Sequence, residues 1–164
     1  MSKETSKKTL EVTTPNDREI AMARVFDAPR TLVWNAYTKP ELLKRWLGVW
    51  GPWSMGVCEI DLRVGGRYRF VWHNDQSGVE FGVSGEYREI AVPSRIVQIE
   101  RMDGCEGEVK GTLTLSESGG RTTLSVNLEF ESQELRDRAL ESGMTNGMAA
   151  SYDRLEGQMG AKAA

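Results

Sequence analysis

The chain has one histidine, two cysteines and no long apolar run among its 164 residues. Each shortage removes a class of function. A zinc centre needs clustered His and Cys, and His73 with the widely separated Cys58 and Cys105 does not supply one. Two cysteines are also too few for a disulfide framework. Together with a start, MSKETSKK, that lacks an apolar signal stretch, this predicts reduced thiols and a cytoplasmic protein. No window approaches the roughly 18 apolar residues that a membrane span requires. Positive charge is short as well. Twenty-one Lys and Arg against 24 Asp and Glu leave a net charge of −3, and the only basic cluster is Lys3, Lys7 and Lys8 in a Ser/Thr-rich start. Nucleic acid, which demands a basic surface, is therefore not an expected partner.

What remains is a composition of one globular domain, 39% apolar and 27% charged. Its aromatic set is skewed, with five Trp against four Phe and four Tyr. Residues 1–17 are polar and unpatterned and are expected to form a disordered arm, with the folded domain over 18–160. Glu19 to Phe26 suits a strand. Asp27 and Pro29 then introduce a helix with Leu32, Val33, Ala36 and Tyr37 on one face, and Thr38-Lys39-Pro40-Glu41 starts a second that ends at Gly48. Beyond Trp50-Gly51-Pro52-Trp53, apolar and polar residues alternate with period two through six or so segments to Phe130, joined by Gly-, Asn- and Pro-containing turns. This pattern predicts an antiparallel meander with one buried face. The first of these segments is expected to carry Cys58, Ile60, Leu62 and Val64 on its apolar side. From Ser132 the period lengthens to three and four, which predicts one long amphipathic helix with a weak point at Gly143. The expected fold class is α+β: a curved antiparallel sheet wrapped around a long C-terminal helix, with two short helices after the first strand.

Several motifs in the same order carry a family likeness. Arg24, Phe26-Asp27-Ala28-Pro29, Val33-Trp34-Asn35-Ala36-Tyr37-Thr38-Lys39-Pro40-Glu41 and Leu43-Lys44-Arg45-Trp46 resemble the opening of bacterial homologues of the Hsp90 ATPase activator C-terminal domain. Asp61-Leu62-Arg63-Val64-Gly65-Gly66 resembles that family's DxRxGG element. Gly85-Glu86-Tyr87-Arg88-Glu89-Ile90, Pro93 and Arg95-Ile96-Val97 resemble its GxYxEI…RIV stretch. Where many relatives carry Gly-Trp near the C-terminus, this chain has Gly143-Met144 or Gly147-Met148. The resemblance implies the START-like, birch-pollen-allergen-like superfamily, with a helix-grip fold and a hydrophobic ligand cavity. A chaperone-interacting or stress-response role is implied by the family name alone, and a cyclase- or hydrolase-like activity by other superfamily members.

The residues themselves favour a binding module over an enzyme. His73 falls at a strand end beside a polar turn and reads as a rim residue. Cys58 reads as a buried, inert thiol, and Cys105, between acidic residues, as unreactive. Asp61, Arg63 and Gly65-Gly66 read as a pinned turn, because the glycine pair leads into a strand and not into a helix N-terminus. The aromatic residues are the stronger signal. Trp46, Trp53, Phe70, Trp72, Phe81, Tyr87, Met144, Met148 and Tyr152 are expected to line a pocket for a small hydrophobic or aromatic molecule, with no metal or cofactor. Glu100 and Arg101 point to opposite faces of their strand. With Val97 and Ile99 turned inward, Arg101 would reach the pocket. A homodimer through a sheet edge or the Trp50–Trp53 loop is a further expectation.

Overall fold

The computed structural model describes residues 9–163. Eight antiparallel strands form a single sheet: β1 (Glu11–Thr13), β2 (Glu19–Phe26), β3 (Trp53–Ile60), β4 (Arg67–Asn74), β5 (Glu80–Ala91), β6 (Arg95–Met102), β7 (Val109–Ser118) and β8 (Arg121–Glu129). Their spatial order is β1-β2-β8-β7-β6-β5-β4-β3, so β3 to β8 run as a meander and β2 closes onto the last strand. Two short helices, α1 (Arg30–Thr38) and α2 (Pro40–Leu43), fill the connection from β2 to β3, and α3 (Gln133–Glu141) and α4 (Met144–Ala163) complete the chain.

The alternation that defines the strands also defines the buried face. β2 reads strictly half-buried, buried along its length, placing Ile20, Met22, Arg24 and Phe26 inside. Register carries that face across the sheet. Phe26 stands opposite Thr122, Leu124 opposite Leu115, and Leu113 opposite Ile96. Bulges between Met55 and Val57 on β3 and between Tyr87 and Glu89 on β5 interrupt the ladder, and such insertions increase local bend and twist. The core forms on the inner side under α1, α2 and α4, with a smaller cluster of Ile20, Met22 and Phe130 beneath α3 and the start of α4.

Several expectations change in detail. Residues 1–8 of the expected arm lie outside the described residues, whereas Glu11–Thr13 form an edge strand on β2, with Val12 opposite Met22. Its three residues are exposed, which is why no buried alternation marked it. The final helix is two helices. Ser132 caps α3 by accepting from the Leu135 amide, and α4 begins again after Gly143, whose φ of 85° no other residue adopts cheaply. Pro29, not Asp27, is the N-cap of α1, since Asp27 is committed to Arg121 at 2.6 Å. Lys39 caps α2, because the Thr38 hydroxyl donates back to the Trp34 carbonyl. Strand β3 stops at Ile60, so Val64 falls outside the buried face and is 61% exposed.

Candidate functional site

The site is best approached from the end of the molecule that is closed. Trp46, fully buried, stacks on Tyr152 of α4 at 5.9 Å and meets Tyr37 of α1 edge-on at 5.0 Å. Its indole N–H donates to the Ala36 carbonyl. The Tyr37 and Tyr152 hydroxyls share a 2.6 Å hydrogen bond. Burial pushes both phenols up, Tyr152 to about 12, although Tyr37 and Arg24 pull Tyr152 back. Arg24, buried on β2, pairs with Asp153 at 2.6 Å and with Glu156 at 3.6 Å, so α4 is held to the sheet by charge as well as by packing. Loop residues join the same end. The Gly48 amide donates to Ser151, and the Trp72 indole donates to the Leu47 carbonyl. Most of the polar atoms of these groups are engaged with one another, and Trp46 also forms one wall of a hollow at the elbow.

The other half of the concave face is arranged differently. Tyr68 on β4, Gly85 on β5 and Glu100 on β6 lie in one register row. The Tyr68 ring lies flat across β5, and a Cβ at position 85 would come within 2.3 Å of it. The bare glycine lets the phenol cross the strand and donate to Glu100 Oε1 at 2.6 Å. Protein surrounding the carboxyl raises its pKa, an effect that the Tyr68 hydrogen bond partly offsets. Tyr68 and Tyr87 are both raised, first by burial and then by nearby acidic groups. Beside this row Gln98, Glu100, Val109, Val126 and Leu128 are only half-buried, and Met144 and Met148 of α4, likewise half-buried, stand over the same region. A strip along the middle of the sheet thus keeps access to solvent between an aromatic wall and a methionine-bearing helix.

The expected pocket residues divide between these regions. Tyr87, Phe70 and Trp72 are buried in the aromatic wall, with ring centroids 6.1 Å apart for the latter pair. Phe81 contacts Trp72 at 5.6 Å but sits at the rim, 39% exposed. Trp53 is half-buried near the far edge. Met144 and Met148 border the strip, whereas Trp46 and Tyr152 belong to the closed end. Arg101 is a correction: it points out of the sheet and pairs with Glu108. The inner residues of β6 are Ile96, Gln98 and Glu100, not Val97 and Ile99, because Glu100 is in register with Gly85 and Val109. Sequence reasoning missed Glu100 as a site residue and gave Gly85 no role beyond its place in the family motif. A glycine inside a strand, a mark of close approach by another group, was the available signal.

Other candidates behave as ordinary surface or core groups. His73 lies at the rim, 3.5 Å from Glu80 and 3.7 Å from Asp75. Arg63 pairs with Asp61 at 2.9 Å across the turn that Gly65 and Gly66 close. Cys58 faces inward, where burial pushes its thiol up to about 11. Among the described residues no group of three or more His, Cys, Asp or Glu is placed to hold a metal ion, and no helix is long and apolar enough to cross a membrane. A separate hollow of about 450 Å³ lies at the elbow, bordered by Leu42, Arg45, Trp46, Leu155 and Met159. It is distinct from the strip on the concave face.

Comparison with solved structures returns the same architecture. A Rhodobacter sphaeroides protein is 28% identical and superposes with a TM-score of 0.85, over 92% of this chain and 98% of its own. Nitrosomonas europaea protein NE0264 is 25% identical, with a TM-score of 0.80, over 91% of this chain and 98% of its own. An Aeromonas hydrophila protein described as AHSA1-like, 18% identical over 85% of this chain and 93% of its own, shares the fold with a TM-score of 0.71. No curated protein matches the sequence. The family model for "Activator of Hsp90 ATPase homolog 1-like protein" matches residues 27–160. With most of its length matched and this helix-grip architecture, the chain belongs to the activator of Hsp90 ATPase homolog 1-like family.

Proposed function

We propose that the chain binds a small apolar or aromatic molecule between the concave face of the sheet and helix α4. The observation that carries this reading is the half-open strip. Gln98, Glu100, Val109, Val126 and Leu128 sit in the middle of a concave face, where close packing for its own sake would bury them fully, yet they stay partly exposed while both flanks are sealed. Met144 and Met148 supply an adaptable lining on the helix side. Binding is favoured over turnover because the thiol and both phenols beside the strip are pushed away from ionisation. The strip offers hydrogen bonds and apolar surface, not an activated nucleophile.

The test is a thermal-shift and native mass-spectrometry screen with indoles, phenols, long-chain alcohols and long-chain amines. A ligand at a hundred times its Kd is expected to add about 2.7 kcal/mol of stability. Met148→Trp, which fills the helix side of the strip, is expected to weaken binding at least tenfold. A screen in which no compound binds overturns the reading.

A further inference from the structure

Arg24 and Glu100 both turn onto the concave face, with opposite charge, and they are treated very differently. Arg24 on β2 is matched twice, by Asp153 and Glu156. Glu100 on β6 is matched by no cation among the described residues. Its one hydrogen bond comes from the neutral Tyr68 hydroxyl, onto Oε1. The neighbouring arginines are committed on the outer face: Arg101 to Glu108, Arg69 to Asp103 and Arg95 to Glu89. A carboxylate half-buried in protein without a cation bears a desolvation cost, and chains usually remove it or pair it. Here the fold instead keeps Gly85 bare so that Tyr68 can reach across β5 and fix one carboxyl oxygen. The second oxygen, Oε2, has no hydrogen-bond partner among the described residues. Glu100 stands opposite Val109 on β7, which packs with Val126, Leu128 and Met148 against Ile20, Met22 and Phe130.

Resting on the binding site proposed above, we infer that the occupant is an organic cation: an amine carried on an aromatic or aliphatic body, whose N–H group completes Glu100 Oε2 while its apolar part lies along the strip. The ligand supplies the positive charge that the concave face lacks. A charge-assisted hydrogen bond in such surroundings is stronger than its neutral equivalent, so the charged headgroup sets the preference and the apolar wall sets the affinity. A ligand bearing a carboxylate is disfavoured, because it would place like charges side by side.

Two matched series separate these cases by calorimetry and native mass spectrometry at neutral pH. The first is tryptamine, tryptophol and indole-3-propionate; the second is dodecylamine, dodecanol and dodecanoate. In at least one series the amine is expected to bind about tenfold or more tighter than the alcohol, with the carboxylate weakest, a difference that corresponds to about 1.4 kcal/mol. Glu100→Gln is expected to bring the amine within about twofold of the alcohol, while Tyr68→Phe, which keeps the carboxylate, preserves the ranking. Circular dichroism and melting verify that each variant is folded, and the wild-type ranking decides the question if Glu100→Gln is not. Alcohol or carboxylate equal to or better than amine in both series overturns the inference and leaves the binding reading standing. So does an amine preference that persists in folded Glu100→Gln. No binding by any member, alongside hits in the broader screen, overturns the inference alone. Silence in both screens overturns both.

Discussion

Glu100 shows how one side chain couples stability to pH. Its pKa is raised in the folded protein by enclosure, so the folded state holds this proton over a pH range in which the unfolded chain has released it. Stability attributable to Glu100 therefore falls as pH climbs from the ordinary carboxylate range through the raised folded value. The groups that interact with it are the hydroxyl of Tyr68 and the phenol of Tyr87, neither of which supplies an opposing cation. Glu100→Gln keeps the shape and the oxygen that accepts from Tyr68. It is expected to stabilise the free protein by about 1 kcal/mol at pH 8, on the order of 2–4 °C in Tm, and to lose that advantage near pH 4. Melting curves across this range check the sign. The residue was within reach of sequence reasoning but on the wrong side of a parity choice. Ile96, Val97 and Ile99 are apolar on both phases of β6, so alternation alone does not say whether Glu100 or Arg101 turns inward. Only pairing with Gly85 decides it.

At the scale of elements, the order of strands and helices was legible because alternation and turn chemistry agreed along most of the chain. β4 follows its expected alternation of Tyr68, Phe70 and Trp72 against Arg67 and Arg69, and β8 follows its own as far as Leu124 before both phases become half-buried. What sequence did not fix was where weak elements begin and end. Residues 11–13 make an edge strand without a buried face, and β3 stops before its expected apolar positions are used up. The break between α3 and α4 is a related case. A 3/4 pattern passes through Gly143, yet the backbone there takes φ 85° and one helix ends before it and the next begins after it. Gly143→Ala puts a side chain into this left-handed conformation at a cost of about 1–2 kcal/mol, although nothing stands in the way of its Cβ. The expected result is a Tm lowered by a few degrees with the cooperativity of unfolding unchanged. An unchanged or raised Tm would mean that one continuous helix fits as well.

Over the whole molecule, the aromatic surplus sorts into a seal and a wall. Trp46, Tyr37, Tyr152 and Phe26 join α1, the segment after α2, α4 and β2 at one end. Tyr68, Phe70, Trp72 and Tyr87 pave β4 and β5, with the Trp72 indole reaching back to Leu47 at the first end. Grouping Trp46, Trp50 and Trp53 near the elbow was possible from their spacing. Knowing that Trp46 is consumed in packing was not, because burial depends on Tyr152, more than a hundred positions away. Trp46→Ala is expected to cost about 3–5 kcal/mol and to lower stability in a single transition by urea or heat. A loss below about 1 kcal/mol would show that this end is not the structural anchor described.

The flat passage of Tyr68 over Gly85 also sets a rule of inheritance. Positions 68, 85 and 100 are far apart along the chain, yet none changes freely without the others. A side chain at 85 evicts the phenol, loss of the phenol leaves the carboxyl without its donor, and loss of the carboxyl removes the reason for the bare strand. Across descendants of this fold, the three positions should therefore drift together as one character, with a larger residue at 85 accompanied by a shortened one at 68 and an uncharged one at 100.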